Sequence, residues 1–326
     1  WLAEAQGRFY LTFYQPLQEG MQLPSFAGLQ LGQVVNEIPG QTPLMVQEKG
    51  RATTVAADGE IPYKLVPGEQ FEYADLAGKQ NAFATIDYSI DPPWAFVGSQ
   101  VTLGEIGLAD AKLYEREAKR VTSAAMGCPN CGGPLALNAP DSAMRVTCPN
   151  CSSLLDVNEG KLTYLKSLTP PPDAPDFVAP IGAEGTFAGD VKVKIIGATV
   201  RSVTFDGIKY FWHEYLLYNP SIGFRWLVHS DNHWNFVEPV NAADIAQDNV
   251  FAAGSSVDYN GRKFKIFQDA PATVEYVKGE FYWRVEQGET VRAIDYVAAP
   301  MMLSQEISAN EVNWSAGTYM TNDEVE

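Results

Sequence analysis

Histidine is nearly missing from this chain, with three residues in 326. Cysteine is almost as scarce: there are four, all between Cys128 and Cys151. Basic residues are outnumbered, 23 Lys and Arg against 40 Asp and Glu, for a formal net charge of −17. No run approaches the roughly 18 apolar residues that a membrane span needs, and no secretory leader is visible. Each shortage excludes something. A surface poor in lysine and arginine does not suit phosphate backbones or anionic lipid, so nucleic acid is not an expected partner. Nucleophile elbow, phosphate loop, dinucleotide fingerprint and metalloprotease helix are all lacking, so no catalytic constellation is legible.

What is there supports folded domains. The chain is 46% apolar and 12% aromatic, and its length allows two or three domains of about 100–200 residues. It also repeats itself. Gly59, Glu60, Gly68, Glu69 and Asp75 fall on Gly279, Glu280, Gly288, Glu289 and Asp295 at one constant offset. Ala52, Thr53 and Trp94 fall on Ala272, Thr273 and Trp314 at the same offset, and Ile61, Tyr63 and Leu65 match Phe281, Trp283 and Val285 in apolar character. Near the start, Trp1, Leu2 and Phe9 pair with Trp226, Leu227 and Trp234 at a slightly different offset.

Both copies read as antiparallel β-structure. Asn260-Gly261 and Asp206-Gly207 are type I′ hairpin signals, and Asp58-Gly59 and Lys278-Gly279 are read as the same turn in the two copies. Val191, Val193 and Ile195 alternate with lysines, as in a half-buried strand. The expected architecture is mainly β, with two related antiparallel barrel or sandwich domains separated by a small zinc ribbon. The boundaries are a first repeat domain over 1–107, a helical connector over 108–125, the ribbon over 126–160, a proline-rich linker over 161–180 and a second, complete repeat domain over 181–326. The second copy has a β-rich lead-in from Ile181 to Trp226 that the first lacks, so the natural protein is expected to continue upstream of Trp1 by about 45 residues.

The cysteines follow the pattern Cys128-x2-Cys131, sixteen residues, Cys148-x2-Cys151. That spacing is expected of one zinc ion held by four thiolates on two knuckles, which leaves no coordination position for substrate. The rival reading, a redox dithiol, calls for a single pair at a helix start in a βαβ setting. Two symmetric pairs in hairpin-like segments favour one structural Zn2+ at Cys128, Cys131, Cys148 and Cys151.

Other chemistry is thin. His229 and His233 flank Asp231 in a polar stretch that reads as a turn. Glu280 and Asp295, with their counterparts Glu60 and Asp75, are candidates for acid–base work, although an acid after a turn glycine more often caps amides. Tyr210, Trp212, Trp226 and Trp234 belong to an aromatic strip that covers core, another domain or a partner.

The run Trp212, Glu214 to Tyr218, then Trp226-Leu227 and His233-Trp234, resembles the bacterial domain-of-unknown-function family 4178, over both repeats and with the ribbon between them. The resemblance implies hydrophobic segments beyond this chain and a place at the cytoplasmic face of the inner membrane, with membrane contact only through segments not present here. Together these features point to a non-enzymatic adaptor presenting tandem β domains to protein partners. The alternative is a small-molecule sensor or enzyme with an aromatic pocket containing Glu280 or Asp295.

Overall fold

A computed structural model describes residues 1–5, 8–17, 19–38, 43–61, 65–108, 126–158, 160–187, 191–220, 222–245 and 254–325. Apart from Leu108, the expected helical connector lies outside the described residues.

The N-terminal sheet has seven strands: β1 (Leu2–Ala5), β2 (Arg8–Gln15), β3 (Val34–Val35), β4 (Leu44–Thr53), β5 (Gln70–Ala77), β6 (Ala82–Asp87) and β7 (Trp94–Val101). Their order is β1-β2-β7-β6-β5-β4-β3. Three short strands follow in the cysteine region: β8 (Arg145–Thr147), β9 (Ser153–Asn158) and β10 (Lys161–Ser167). The C-terminal part contains β11 (Glu184–Phe187), β12 (Val191–Phe205), β13 (Ile208–Asn219), β14 (Gly223–Ser230), β15 (His233–Val240), β16 (Ser256–Tyr259), β17 (Arg262–Phe281), β18 (Thr290–Ala298), β19 (Met301–Ile307) and β20 (Val312–Met320), then a single helical turn, α1 (Asn322–Val325).

Strands β12-β13-β14-β15-β20-β19-β18-β17 form an antiparallel ladder, and β17 pairs back onto β12, closing an eight-stranded barrel. Type I′ geometry ties its hairpins. Asp206 and Gly207 (φ 49° and 79°) join β12 to β13, and Asn260 and Gly261 (φ 49° and 72°) join β16 to β17. Asp231 and Asn232 (φ 49° and 63°) join β14 to β15, so the stretch between His229 and His233 is a turn.

The N-terminal sheet pairs its strands as the barrel does. Its ladders β1–β2, β2–β7, β7–β6, β6–β5, β5–β4 and β4–β3 repeat β14–β15, β15–β20, β20–β19, β19–β18, β18–β17 and β17–β16. Even the bulge in β4 between Val46 and Glu48 recurs in β17 between Ile266 and Gln268. The two sheets share a core. Val35, Leu44, Ala74, Leu76, Ala84 and Ala95 are buried in one cluster with their counterparts Val257, Phe264, Ile294, Tyr296, Leu303 and Trp314.

Three sequence expectations change. Trp94 is not the counterpart of Trp314: Trp94 pairs with Asp87, whereas Trp314 pairs with Gln305. Because Asp75 faces Thr85 as Asp295 faces Ser304, Ala95 takes the place of Trp314; the longer 78–81 connection shifts the register. Lys278-Gly279 is no turn, since Gly279 lies inside β17. It is glycine because its backbone crosses β12 so closely that a Cβ would stand 2.3 Å from the Ile196 carbonyl oxygen. Finally, the stretch given to the linker from 161 starts with β10, which pairs with β9. Lys161–Ser167 belongs to the cysteine region, and the proline-rich part begins after it.

Candidate metal centre

Two turns of the same build present the cysteines. In the first, Gly132 N–H donates to the Cys128 carbonyl and Cys128 N–H to the Gly133 carbonyl, both at 2.8 Å. In the second, Ser152 N–H donates to the Cys148 carbonyl and Cys148 N–H to the Ser153 carbonyl, both at 2.9 Å. Gly132 (φ 73°) and Ser152 (φ 55°) take the left-handed position that lets each turn curl around its thiols.

All four Sγ atoms lie within 4.8 Å of one another. Cys128 and Cys151 are 3.7 Å apart, as are Cys131 and Cys148. A tetrahedron with 2.3 Å metal–sulfur bonds has edges of about 3.8 Å, which the two 3.7 Å separations match. The four are free thiols, not disulfides. Polar groups are aimed at them: Asn130 N–H at Cys128 Sγ and Gly133 N–H at Cys131 Sγ, both 3.4 Å, and the Ser153 hydroxyl 3.2 Å from Cys151 Sγ. The Ser153 hydrogen bond helps pull the Cys151 thiol down to about 6. Cys131 goes the other way: the Gly133 amide lowers it, but burial and its thiol neighbours outweigh that and push it up to about 12. Four thiols with sulfur at every corner can hold a metal ion and leave no corner open for water or substrate.

The centre is bolted to the barrel. Strand β8 extends the sheet by pairing with the end of β17, Val146 opposite Glu280 and Arg145 opposite Phe281. Met144 N–H donates to the Phe281 carbonyl at 2.8 Å, and Gly279 N–H to Thr147 Oγ1 at 2.6 Å. Glu280, 2% exposed, accepts from the Asn138 amide at 2.6 Å, from Asn138 Nδ2 at 3.2 Å and from the Ala139 amide at 2.7 Å. Around it, Ala139, Leu154 and Leu168 share a core with Leu216, Val277, Phe281 and Val285. The cysteine region lies between the two sheets in sequence but in space is a cap on one of them.

A family comparison covers this second sheet: residues 182–322 match the model of a domain of unknown function. The barrel is a DUF4178 domain. No curated protein and no solved structure matches the chain.

Inside the DUF4178 barrel lies a cluster that sequence reading missed. Arg201 on β12 reaches Glu214 Oε1 on β13 at 3.2 Å and Glu306 on β19 at 2.5 Å. Since β12 and β19 are not neighbours in the ladder, the second contact crosses the lumen. Trp212 donates its Nε1 hydrogen to Glu214 at 2.8 Å and lies 5.7 Å under the Arg201 guanidinium. Burial pushes Glu214 above the usual carboxylate range, and the two carboxylates hold Arg201 protonated despite its own burial. The signal was the one arginine of β12 and the one acid of β13, each set among large apolar neighbours.

The six residues expected to form a partner or ligand surface do not share one. Trp212 sits over Arg201. Trp226 meets Trp283 at 5.4 Å, in the cluster that includes the cap. Trp234, 7% exposed, packs with Tyr215 in the cluster covered by Phe177 and Ala179 of the linker. Tyr210 is 51% exposed near Phe205. Glu280 is the strut just described, and Asp295 is buried beside Gln268 and Ser304, its carboxyl raised by burial. Both carboxylates are engaged by protein groups, and among the described residues no helix is long and apolar enough to cross a membrane.

Proposed function

We propose that this protein is a non-enzymatic scaffold in which one structural zinc ion at Cys128, Cys131, Cys148 and Cys151 pins a rigid cap on a β barrel, and that the assembly presents its β units to protein partners. One observation carries the reading: a closed four-thiol site whose surroundings are spent on docking, through Glu280 and the β8–β17 pairing, rather than on a cleft. Zinc is favoured over other ions by four thiolates at tetrahedral separation. Four free thiols at this separation suit a reducing compartment, which supports a cytoplasmic location. Tethering to the inner membrane rests on the family resemblance, through segments outside this chain. With a net charge of −17, the partner is a protein rather than nucleic acid. We further propose that residues 1–107 are a second copy of the DUF4178 domain, on the strength of the matching ladders and bulge.

The sensor or enzyme alternative needed a pocket holding Glu280 or Asp295, and both are held by protein groups. Mild cross-linking of the full-length protein in its native membranes, then affinity purification and mass spectrometry, tests the scaffold reading. A reproducible protein partner near stoichiometric yield is expected. A chain that comes down alone would contradict it.

A further inference from the structure

All three histidines of the chain stand on consecutive strands of the DUF4178 barrel: His213 on β13, His229 on β14 and His233 on β15. His213 is 2% exposed, and the proline-rich segment that follows the cap lies against it. Its Nε2 is 3.2 Å from the Pro175 carbonyl. A carbonyl only accepts, so Nε2 carries the hydrogen and Nδ1 is bare. Among the described residues, the buried Nδ1 has no hydrogen-bond partner.

The rest of the segment is lightly held. The Val178 and Ala179 amides donate to the Tyr215 hydroxyl at 2.9 and 3.2 Å. The Phe177 ring lies 5.2 Å from the His213 ring and 6.1 Å from that of Tyr215. Phe177 and Ala179 pack on the apolar cluster of Tyr215, Leu217 and Trp234, while Pro175, Asp176 and Val178 are exposed. A segment with so few buried contacts opens at low cost.

We propose that residues 175–179 are a strap over one face of the barrel, latched by neutral His213 and released by acidification. Protonation keeps the Nε2 hydrogen bond but adds a charge and an N–H at Nδ1, where the buried site offers no acceptor. The His229 ring, stacked 5.9 Å away at 10°, adds like charge when it titrates too. Burial holds both histidines below their ordinary range. Asp176 on the strap attracts a proton to His213, but burial outweighs it; Asp231 and His233 act on His229 in opposite senses. Of the other elements packed here, β12 sets uncharged Val200 opposite His213, and β17 brings Tyr276 to 6.3 Å from Phe177. The closed strap thus prefers neutral His213, and the open strap lets it titrate near 6.5. Closure is strongest above that pH and weakens as pH falls through it, so one such histidine raises the opening constant by about tenfold from pH 7.5 to pH 5.5. Release bares Tyr215 and the apolar residues around it. The device rests on the barrel and its linker, and holds whether or not the scaffold reading does.

Hydrogen exchange in the full chain, corrected for its intrinsic pH dependence, reads the latch at the amides of residues 176–179, with β18 and β19 as reference. Protection of the strap should fall threefold or more from pH 7.5 to pH 5.5 while the reference strands keep theirs. A smaller fall, or an equal fall in the reference strands, would overturn the strap. His213→Gln keeps a donor toward Pro175 but takes up no proton in this range, so its strap should be equally protected at both pH values. A pH response that survives in this variant would overturn the role of His213. Tyr215→Phe, which removes an acceptor but no titrating group, should lower protection by the same factor at both. Should His213→Gln fail to fold, nuclear magnetic resonance of the three histidines in the unmodified chain decides, with signals assigned through His229→Gln and His233→Gln. Titration of His213 below its ordinary range is expected, and titration at or above that range would overturn the proposal.

Discussion

Glu280 shows how much a single side chain decides. Its carboxylate takes two backbone amides and one side-chain amide from the cap loop, so its removal leaves buried donors with no acceptor. Glu280→Gln substitutes an amide that can offer only one oxygen, at a cost of about 1–3 kcal/mol for each unsatisfied group. The expected outcome is metal release to a chelator faster by tenfold or more, measured by a colorimetric dye, with the barrel's near-UV circular dichroism unchanged. Arg201 is the other decisive residue. Arg201→Met strands the buried Glu214 without its cation, and breaking a buried pair in this way costs about 3–5 kcal/mol, to which the more exposed Glu306 adds little because solvent screens it. Denaturant titration should show the loss to be larger at pH 8 than at pH 5, because Glu214, already raised by burial, can protonate at the lower pH. The cysteine spacing made the four-thiol cluster legible, since two paired turns leave little freedom. Glu280 was legible only as a repeated acid: its amide partners lie more than 140 positions away, and no local pattern encodes that contact.

At the scale of the element, hairpins were readable and long-range register was not. Asn260-Gly261 and Asp206-Gly207 carry their own backbone preference, so each turn stands where the dipeptide does. Gly279 carries the same residue type for another reason, the close crossing of β17 and β12, and a dipeptide cannot distinguish a turn from a crossing. The bulge shared by β4 and β17 sets Glu48 opposite Asp75, where the barrel sets Gln268 opposite Asp295. Burial gives β4 and β5 a pH dependence, to which the Glu in place of Gln adds repulsion. Burial raises Asp75 from 3.8 to about 7 and Glu311 from 4.5 to about 7, with Glu48 adding repulsion in both cases. The other groups facing this pair are Tyr73, Thr85 and, from β2, Arg8. Both carboxyls hold protons more tightly in the folded state, so stability falls as pH rises from about 4 to about 7. Melting of the N-terminal sheet should drop by several degrees between pH 5 and pH 8. Asp75→Asn should flatten that dependence, and an unchanged slope would show that Asp75 does not carry it.

For the whole molecule, the likeness of two segments was legible and the assembly was not. Apolar matches such as Leu65 with Val285 show that two segments are alike, but not that they bury equivalent faces against each other, as Leu76 and Tyr296 do. Nor did composition show that the cysteine region would join the barrel's sheet. That arrangement would make a metal held by the four thiols a stability element of the cap and the barrel together. Removal of metal by a chelator should therefore expose β17 from Gly279 to Phe281 to hydrogen exchange and leave β5 to β7 protected. The measurement that bears most directly on the account is X-ray absorption at the zinc edge, with metal analysis of the same sample. One zinc per chain with four sulfur neighbours at about 2.3 Å is the predicted result. A nitrogen or oxygen neighbour in the inner shell, or a metal-free chain that keeps its cap docked, would contradict it.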